Sequence, residues 1–258
     1  MKCMVFVIAS FAISQSAYPQ TMIIHKSDHS TISLHMYEID SITYSAVPNQ
    51  ALQFNGTSDY VRLPSGSSLT SFGTHITIEA WIKTLGSGGG LVIASGNENE
   101  YTLAILPSGK VGATMVNVNP QTDALFIGRA TLATNNWYHI AVTYDGAMET
   151  ILINGIIDTA FSTSGNISSA QIVENISLGC YSATNHTLHN TFLNGLLDEV
   201  RIWNVTRTPG QIQSTINAEL SGSEPGLVGY WRLNGDAKDA SPNGNHGTIF
   251  GSPTFADR

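Results

Sequence analysis

Two adjacent acids, Asp198 and Glu199, stand in the run LNGLLDEVRIWN (193–204), with Arg201 and Trp203 close behind. Carboxylates so placed could hydrolyse a glycosidic bond or hold a metal ion. A hydrolytic pair must flank the scissile bond, with its carboxyl groups about 5 to 9.5 Å apart depending on stereochemistry. The apolar run predicts a strand, and successive side chains on a strand point to opposite faces. Val200 and Ile202 are the core candidates, so Glu199, Arg201 and Trp203 are expected on the other face, with Asp198 at the loop edge where the strand begins. On that reading the two acids point apart and neither is catalytic. No Gly-x-Ser-x-Gly elbow, Gly-Lys-Ser/Thr phosphate loop or His-Glu-x-x-His helix occurs elsewhere, so no catalytic residue is expected.

A second group lies on two other predicted strands. In HITIEAWIK (75–83), Ile76, Ile78, Ala80 and Ile82 form one face, leaving Thr77, Glu79, Trp81 and Lys83 on the other. In WYHIAVTY (137–144), Tyr138, Ile140, Val142 and Tyr144 share one face, and Trp137, His139 and Thr143 the opposite one. Two readings of this polar, aromatic-bearing face stay open. Glu79 and Arg201 could form a cross-strand ion pair, worth at most about 1 kcal/mol if exposed. Alternatively, Glu79, Trp81, Trp137 and His139 could bind a sugar, whose apolar face stacks on tryptophan while acids and amides take its hydroxyls. The histidines His25, His29 and His35, and the pair His186 and His189, match no closed metal site by spacing and are expected to face solvent.

These residues need a scaffold, and the scaffold is legible in the punctuation. The chain has 258 residues, of which 42% are hydrophobic and only 12% charged, enough for one substantial core. Short apolar or alternating runs separated by Gly, Asn, Asp and Pro recur from Ala51 onward, which predicts an all-β sandwich. Asn154-Gly155 in ILINGII and Gly109 in PSGK supply the positive φ angles of tight hairpins. One short helix is predicted in TRTPGQIQSTINAEL (206–220), capped by Thr208, started by Pro209, and lying across the sandwich surface. A small hairpin is expected from Met22 to Leu34.

The first residues carry Lys2, an apolar stretch from Met4 to Ile13, and the small residues Ser14, Ser16 and Ala17. Residues 1–17 are therefore expected to be a secretory signal peptide, followed by a short extended segment at 18–48 and the sandwich domain at 49–258. No run reaches the roughly 20 apolar residues of a transmembrane helix. The expected location is secreted or at a bacterial cell surface. Cys3 would leave with the signal, so Cys180 has no intrachain disulfide partner. A net charge of −8 without a basic cluster excludes nucleic acid as a partner.

ALQFNGTSDYVRLP, THITIEAWIK, NNWYHIAVTYDG, ILINGII, LNGLLDEVRIWNVTRTPGQIQ and GLVGYWRLNGD followed by GNHGTI occur in that order. Together, over about residues 50–250, they resemble the laminin-G-like jelly-roll domains of the concanavalin A-like lectin/glucanase superfamily. The N-terminal segment resembles one found ahead of secreted domains in Bacteroidetes-type bacteria. The resemblance implies an antiparallel two-sheet jelly-roll sandwich with one short helix. It also implies a structural calcium, held at the positions matching Asn55, the Gly56 carbonyl, Asp59 and Asp198; calcium takes six to eight oxygen ligands. The alternative is an Asp that simply caps a turn by hydrogen-bonding backbone amides. Glu98-Asn99 matches part of the calcium-dependent ligand site of pentraxin-type members, but the stretch 178–190 lacks the carboxylates that would complete it. The spaced acids of the superfamily's glucanases are missing. The expected function is non-catalytic recognition of a polysaccharide or cell-surface glycan, with the loops 95–100, 117–123 and 181–192 as a binding rim. A protein-contacting adhesion or structural module that binds other surface proteins is the main alternative, and a glycoside hydrolase-related domain the other.

Overall fold

The structure is a computed structural model that describes residues 21–25, 31–35, 49–64, 67–86, 89–94, 101–115, 125–167, 176–180 and 191–258. The chain divides into two units, Met1–Val47 and Pro48–Arg258. In the first, β1 (Thr21–His25) pairs antiparallel with β2 (Thr31–His35), Met22 opposite Leu34, as the hairpin expectation required. The proposed signal segment 1–17 and His29 lie outside the described residues.

The second unit is a sandwich of two antiparallel sheets. The larger runs β12 (Ile156–Ser162), β11 (Met148–Ile153), β10 (Tyr138–Tyr144), β5 (Ile76–Thr84), β14 (Asn194–Trp203), β3 (Gln50–Asn55), β17 (Thr254–Asp257), and β15 (Leu227–Trp231) also pairs with β14. The smaller runs β16 (Thr248–Phe250), β4 (Tyr60–Leu63), β13 (Ile176–Leu178), β6 (Gly90–Ala94), β7 (Thr102–Ile105), β8 (Lys110–Thr114), β9 (Phe126–Thr131). This is the all-β jelly roll expected from the sequence. Ile76, Ile78, Ala80, Ile82, Ile140 and Val142 from one sheet meet Val61, Leu63, Leu103, Val111, Ile176 and Leu178 from the other, all at most 2% exposed. Such burial is the main stabilising term, at about 25 cal/mol per Å² of apolar surface.

The turn chemistry is also as read. Asn154 and Gly155 have φ values of 52° and 74°, which let two residues reverse β11 into β12. At the far margin the sheets are joined by Asp158 on β12, whose carboxylate accepts from the backbone amides of Arg129 (2.5 Å) and Ala130 (3.0 Å) on β9. Phe126 and Phe161 pack across the same gap, ring centroids 4.6 Å apart.

The helix α1 (Pro209–Thr215) starts with a capping box: Thr208 accepts from the Gln211 amide while the Gln211 side chain accepts from the Thr208 amide. It is one turn shorter than the apolar spacing suggested, and of Ile212, Ile216 and Leu220 only Ile212 lies inside it. Ile212 packs on Ala141 and Leu152, so α1 covers the outer face of the larger sheet.

Strict alternation fails in β14. Asp198 pairs with Trp81 and Arg201 with Glu79, so three steps on β14 oppose two on β5. The extra residue is a β-bulge, and Glu199 takes a left-handed φ of 54°. The bulge resets the parity, so that Asp198 joins Trp81, Glu79 and Arg201 on the outer face instead of standing at a loop edge. Glu199 reaches the same side and bonds to Arg201 and Tyr230. The expectation that the two acids point apart is therefore corrected.

The core-facing side of β11 carries an acid. Glu149 pairs with Tyr144 and Phe161, and neither of its carboxyl oxygens has a hydrogen-bond partner. Burial pushes its carboxyl up to about 8, opposed only weakly by the nearby Met115 amide. A carboxyl raised in the folded state binds a proton that the unfolded chain has lost, so its contribution is fully present below about 4.5 and is lost as pH rises through about 8. We expect Glu149→Gln to flatten that loss and to exceed the parent in stability at pH 9 by a few kcal/mol, on the order of 1.4 kcal/mol for each pH unit by which burial raises the carboxyl, with little difference at pH 4. Urea unfolding of both proteins at the two pH values checks this.

Candidate functional site

The residues singled out on the outer face of the larger sheet do converge, but under a cover. Glu79 has no accessible surface. Its carboxylate takes Arg207 Nη1 at 2.6 Å and Trp203 Nε1 at 2.8 Å, with Arg201 Nη1 at 3.8 Å and His139 Nε2 at 3.5 Å. Arg201 also bonds to Glu199, whose carboxylate accepts from Tyr230 Oη at 2.7 Å. The cross-strand pairing of Glu79 with Arg201 is thus present, though buried where an exposed pair was expected.

The end of α1 supplies the lid. The last carbonyls of a helix have no intrahelical partner and carry the negative end of its dipole. Here cationic and indole donors meet carbonyls of the helix, of its end and of the segment that follows it. Arg201 donates to the carbonyls of Thr215 (3.2 Å) and Ala218 (2.6 Å), Arg207 to that of Gln211 (2.7 Å), and Trp81 Nε1 to that of Ile216 (2.8 Å). Arg232 donates to the Leu220 carbonyl at 2.8 Å.

Burial sets the electrostatics. Desolvation raises the Glu79 carboxyl against the opposing pull of Arg207 and Arg201. His139 is driven down to about 3, first by desolvation and then by Arg201, Arg207 and Arg258, so its imidazole is neutral. Its ring packs edge-on to Trp81, with centroids 5.5 Å apart. The Asp198 carboxyl is pushed up to about 7 because desolvation outweighs the attraction of Arg258. Arg258 Nη1 lies 2.5 Å from Asp198 Oδ2, and its guanidinium sits 4.4 Å from the Trp81 ring centre and 5.4 Å from that of Trp137. Trp81 and Trp137, both half-buried, are thus engaged by Arg258. Neither Glu79 nor Glu199 opens onto a groove that could admit a glycosidic bond. Glu98 and Asn99, the rim stretches 95–100 and 117–123, and His186 and His189 within 181–190 lie outside the described residues.

The expected calcium ligands do not come together. Asn55 pairs with Asn194, four positions before Asp198 on β14, which at about 3.3 Å per residue separates the two sites by roughly 13 Å. The side-chain oxygens of Asn55 and Asp59 accept from backbone amides. Asn55 Oδ1 accepts from the amides of Thr57 (2.9 Å), Ser58 (2.9 Å) and Asp59 (3.3 Å). Asp59 accepts from the amides of Asn55 (3.1 Å) and Ser252 (2.9 Å). Gly56, at φ 77°, has its amide on the Leu193 carbonyl. Asn55 and Asp59 thus cap the turn, while Asp198 pairs with Arg258, and among the described residues no three His, Cys, Asp or Glu side chains form a metal-holding group.

The other sheet carries a feature that alternation could have found. Tyr60 and Arg62 alternate with core-facing Val61 and Leu63 on β4, so they face outward. Phe250 on the edge strand β16 pairs with Tyr60, and the two rings stack at 4.7 Å and 4°. The Arg62 guanidinium lies 4.5 Å from the Phe250 ring centre and donates to Tyr60 Oη at 3.1 Å. All three side chains are half-buried, beside exposed Thr248.

Two outcomes test the outer-face assignment. Glu79→Gln should lower unfolding free energy by roughly 3–5 kcal/mol by leaving buried guanidinium groups uncompensated, measured by denaturant titration. Asp198→Ala should destabilise equally in calcium and in chelator; a calcium-dependent rise in Tm that the substitution abolishes would reinstate the metal assignment.

The sequence family described as the concanavalin A-like lectin/glucanases superfamily matches residues 55–213. No curated protein matches the chain in a sequence search. Among solved structures, a candidate carbohydrate binding protein from Bacteroides ovatus aligns with TM-score 0.65 and 18% identity over 95% of this chain and 70% of its own. The heptameric SAP-like pentraxin of Limulus polyphemus aligns with TM-score 0.56 and 12% identity, over 83% of this chain and 97% of its own. The CBM40 module of the Ruminococcus gnavus IT-sialidase, bound to α2,3 sialyllactose, aligns with TM-score 0.53 and 15% identity, over 64% and 96%. At such identities the likeness is one of fold. The sequence match spans more than half of the 258 residues, and the two-sheet jelly roll agrees with it: the chain belongs to the concanavalin A-like lectin/glucanases superfamily.

Proposed function

We propose that the chain is a non-catalytic carbohydrate-binding module, exported after removal of the leading segment, that recognises a polysaccharide or cell-surface glycan on the outer face of the smaller sheet. The observation that carries this reading is the Tyr60–Phe250 stack with Arg62 over it. A pyranose ring presents C–H groups to an aromatic surface and hydroxyls to adjacent donors, and preformed rings limit the entropy lost on binding. The Ruminococcus gnavus module and the Bacteroides ovatus protein support the reading as sugar-linked proteins of this fold. The absence of catalysis rests on the acids: Glu79 and Glu199 are committed to Arg201 and Arg207 beneath α1.

A second reading has its own observation. Ile156 and Ile157 on β12 are 66% and 53% exposed, and Leu125 and Ile127 at the facing margin are 42% and 44% exposed. Such an apolar edge suits contact with another surface protein.

Glycan-array binding of the purified protein discriminates. We expect selective binding, equal in calcium and in chelator, that falls about tenfold or more in Tyr60→Ala and in Phe250→Ala while Trp137→Phe retains it. Silence of folded protein across the array would favour the protein-contacting reading.

A further inference from the structure

Six arginines occur in the chain, and their partners differ sharply. Arg201, Arg207, Arg232 and Arg258 each lie within 4 Å of a carboxylate. Arg129 is exposed at the end of the smaller sheet. Arg62 is the exception among the partly buried ones: among the described residues no carboxylate approaches it, and its side-chain hydrogen bond goes to the Tyr60 hydroxyl. Its Nε is packed out of contact with water and has no acceptor, while Nη1 donates to no described residue. The neighbours on the same side of the sheet are Tyr60, fully buried Ser177, Thr248 and Phe250, none of them acidic. Asp59, the nearest acid in sequence, has both oxygens on backbone amides. Of the six arginines, Arg62 is therefore the half-buried one that no described carboxylate neutralises, and it lies on the face that carries the Tyr60–Phe250 stack.

An unneutralised guanidinium held in place by two rings is built for a planar anion. Its fork matches a carboxylate in two parallel hydrogen bonds, and stacking on Phe250 fixes its plane at little entropic cost. We propose that Arg62, with Tyr60 and Phe250, forms a subsite for an acidic sugar residue, the guanidinium taking the carboxylate of a uronic acid while the rings take the sugar body. This deepens the carbohydrate-binding reading and rests on it.

The test compares polymers that share a backbone and differ in charge. Binding of the purified protein to polygalacturonate and to its fully methyl-esterified form is followed by calorimetry. We expect the acidic polymer to bind about tenfold or more tighter, with the difference shrinking in 0.5 M salt as screening sets in. Arg62→Met should erase the preference, and Arg62→Lys, which keeps the charge but loses the fork, should retain only part of it; near-UV circular dichroism confirms that each variant is folded. Equal binding of the two polymers, or a preference that survives Arg62→Met, overturns the proposal. Equally tight binding of dextran sulfate overturns the carboxylate assignment by showing a site for any polyanion. If only neutral glycans bind, the acidic-sugar subsite fails and the carbohydrate reading stands; if no glycan binds, both fail.

Discussion

A carboxylate withdrawn from water must be matched by donors or protonated, and at Glu79 an indole and the Arg207 guanidinium donate to Oε1, with the Arg201 guanidinium 3.8 Å away. Those donors come from different parts of the chain. Arg201 and Trp203 lie on the strand beside Glu79, whereas Arg207 belongs to the connection leading into α1. Satisfying Glu79 therefore fixes where α1 begins. The guanidinium groups then extend past the carboxylate to the carbonyls at the other end of the helix, so a single ionic cluster anchors both ends of the covering segment. With that segment in place Glu79, His139 and Arg201 are closed off from water on the outer face of the larger sheet.

The cluster depends in turn on the bulge at Glu199. Without the extra residue, β14 would present Val200 beside Glu79 and send Arg201 toward the apolar core. The left-handed backbone at Glu199 carries a conformational cost, since non-glycine residues rarely adopt it. That cost is offset by the bonds its carboxylate makes to Arg201 and Tyr230. Backbone irregularity and ion network are thus one device.

Much of the fold was legible because its signals are local. Alternation in HITIEAWIK and WYHIAVTY separated core from outer face correctly, Asn154-Gly155 announced its hairpin, and Thr208-Pro209 announced the helix start. The site was less legible for two reasons. A bulge leaves an apolar run unchanged, so nothing in DEVRIW distinguishes a regular strand from one that resets its parity. Burial of a polar face is also non-local: Glu79, Trp81 and His139 read as exposed until a helix more than 60 residues further along the chain is laid over them. The converse holds for the aromatic ledge. Tyr60 and Arg62 could be placed outward from YVRL alone, but the pairing that brings Phe250 beside them joins segments nearly 190 residues apart, and the Gly- and Asn-rich tail around Phe250 gives no hint of it.

The carboxylate of Asp158 has a bearing on how the molecule behaves among its own copies. β9 is the last strand of the smaller sheet, and the free amides of a terminal strand are a template onto which a strand from a second chain can add. Two of those amides, on Arg129 and Ala130, are already occupied by Asp158. The side chain that ties the two sheets together therefore also blocks strand addition at this margin, where Leu125 and Ile127 would otherwise favour fibrous self-assembly.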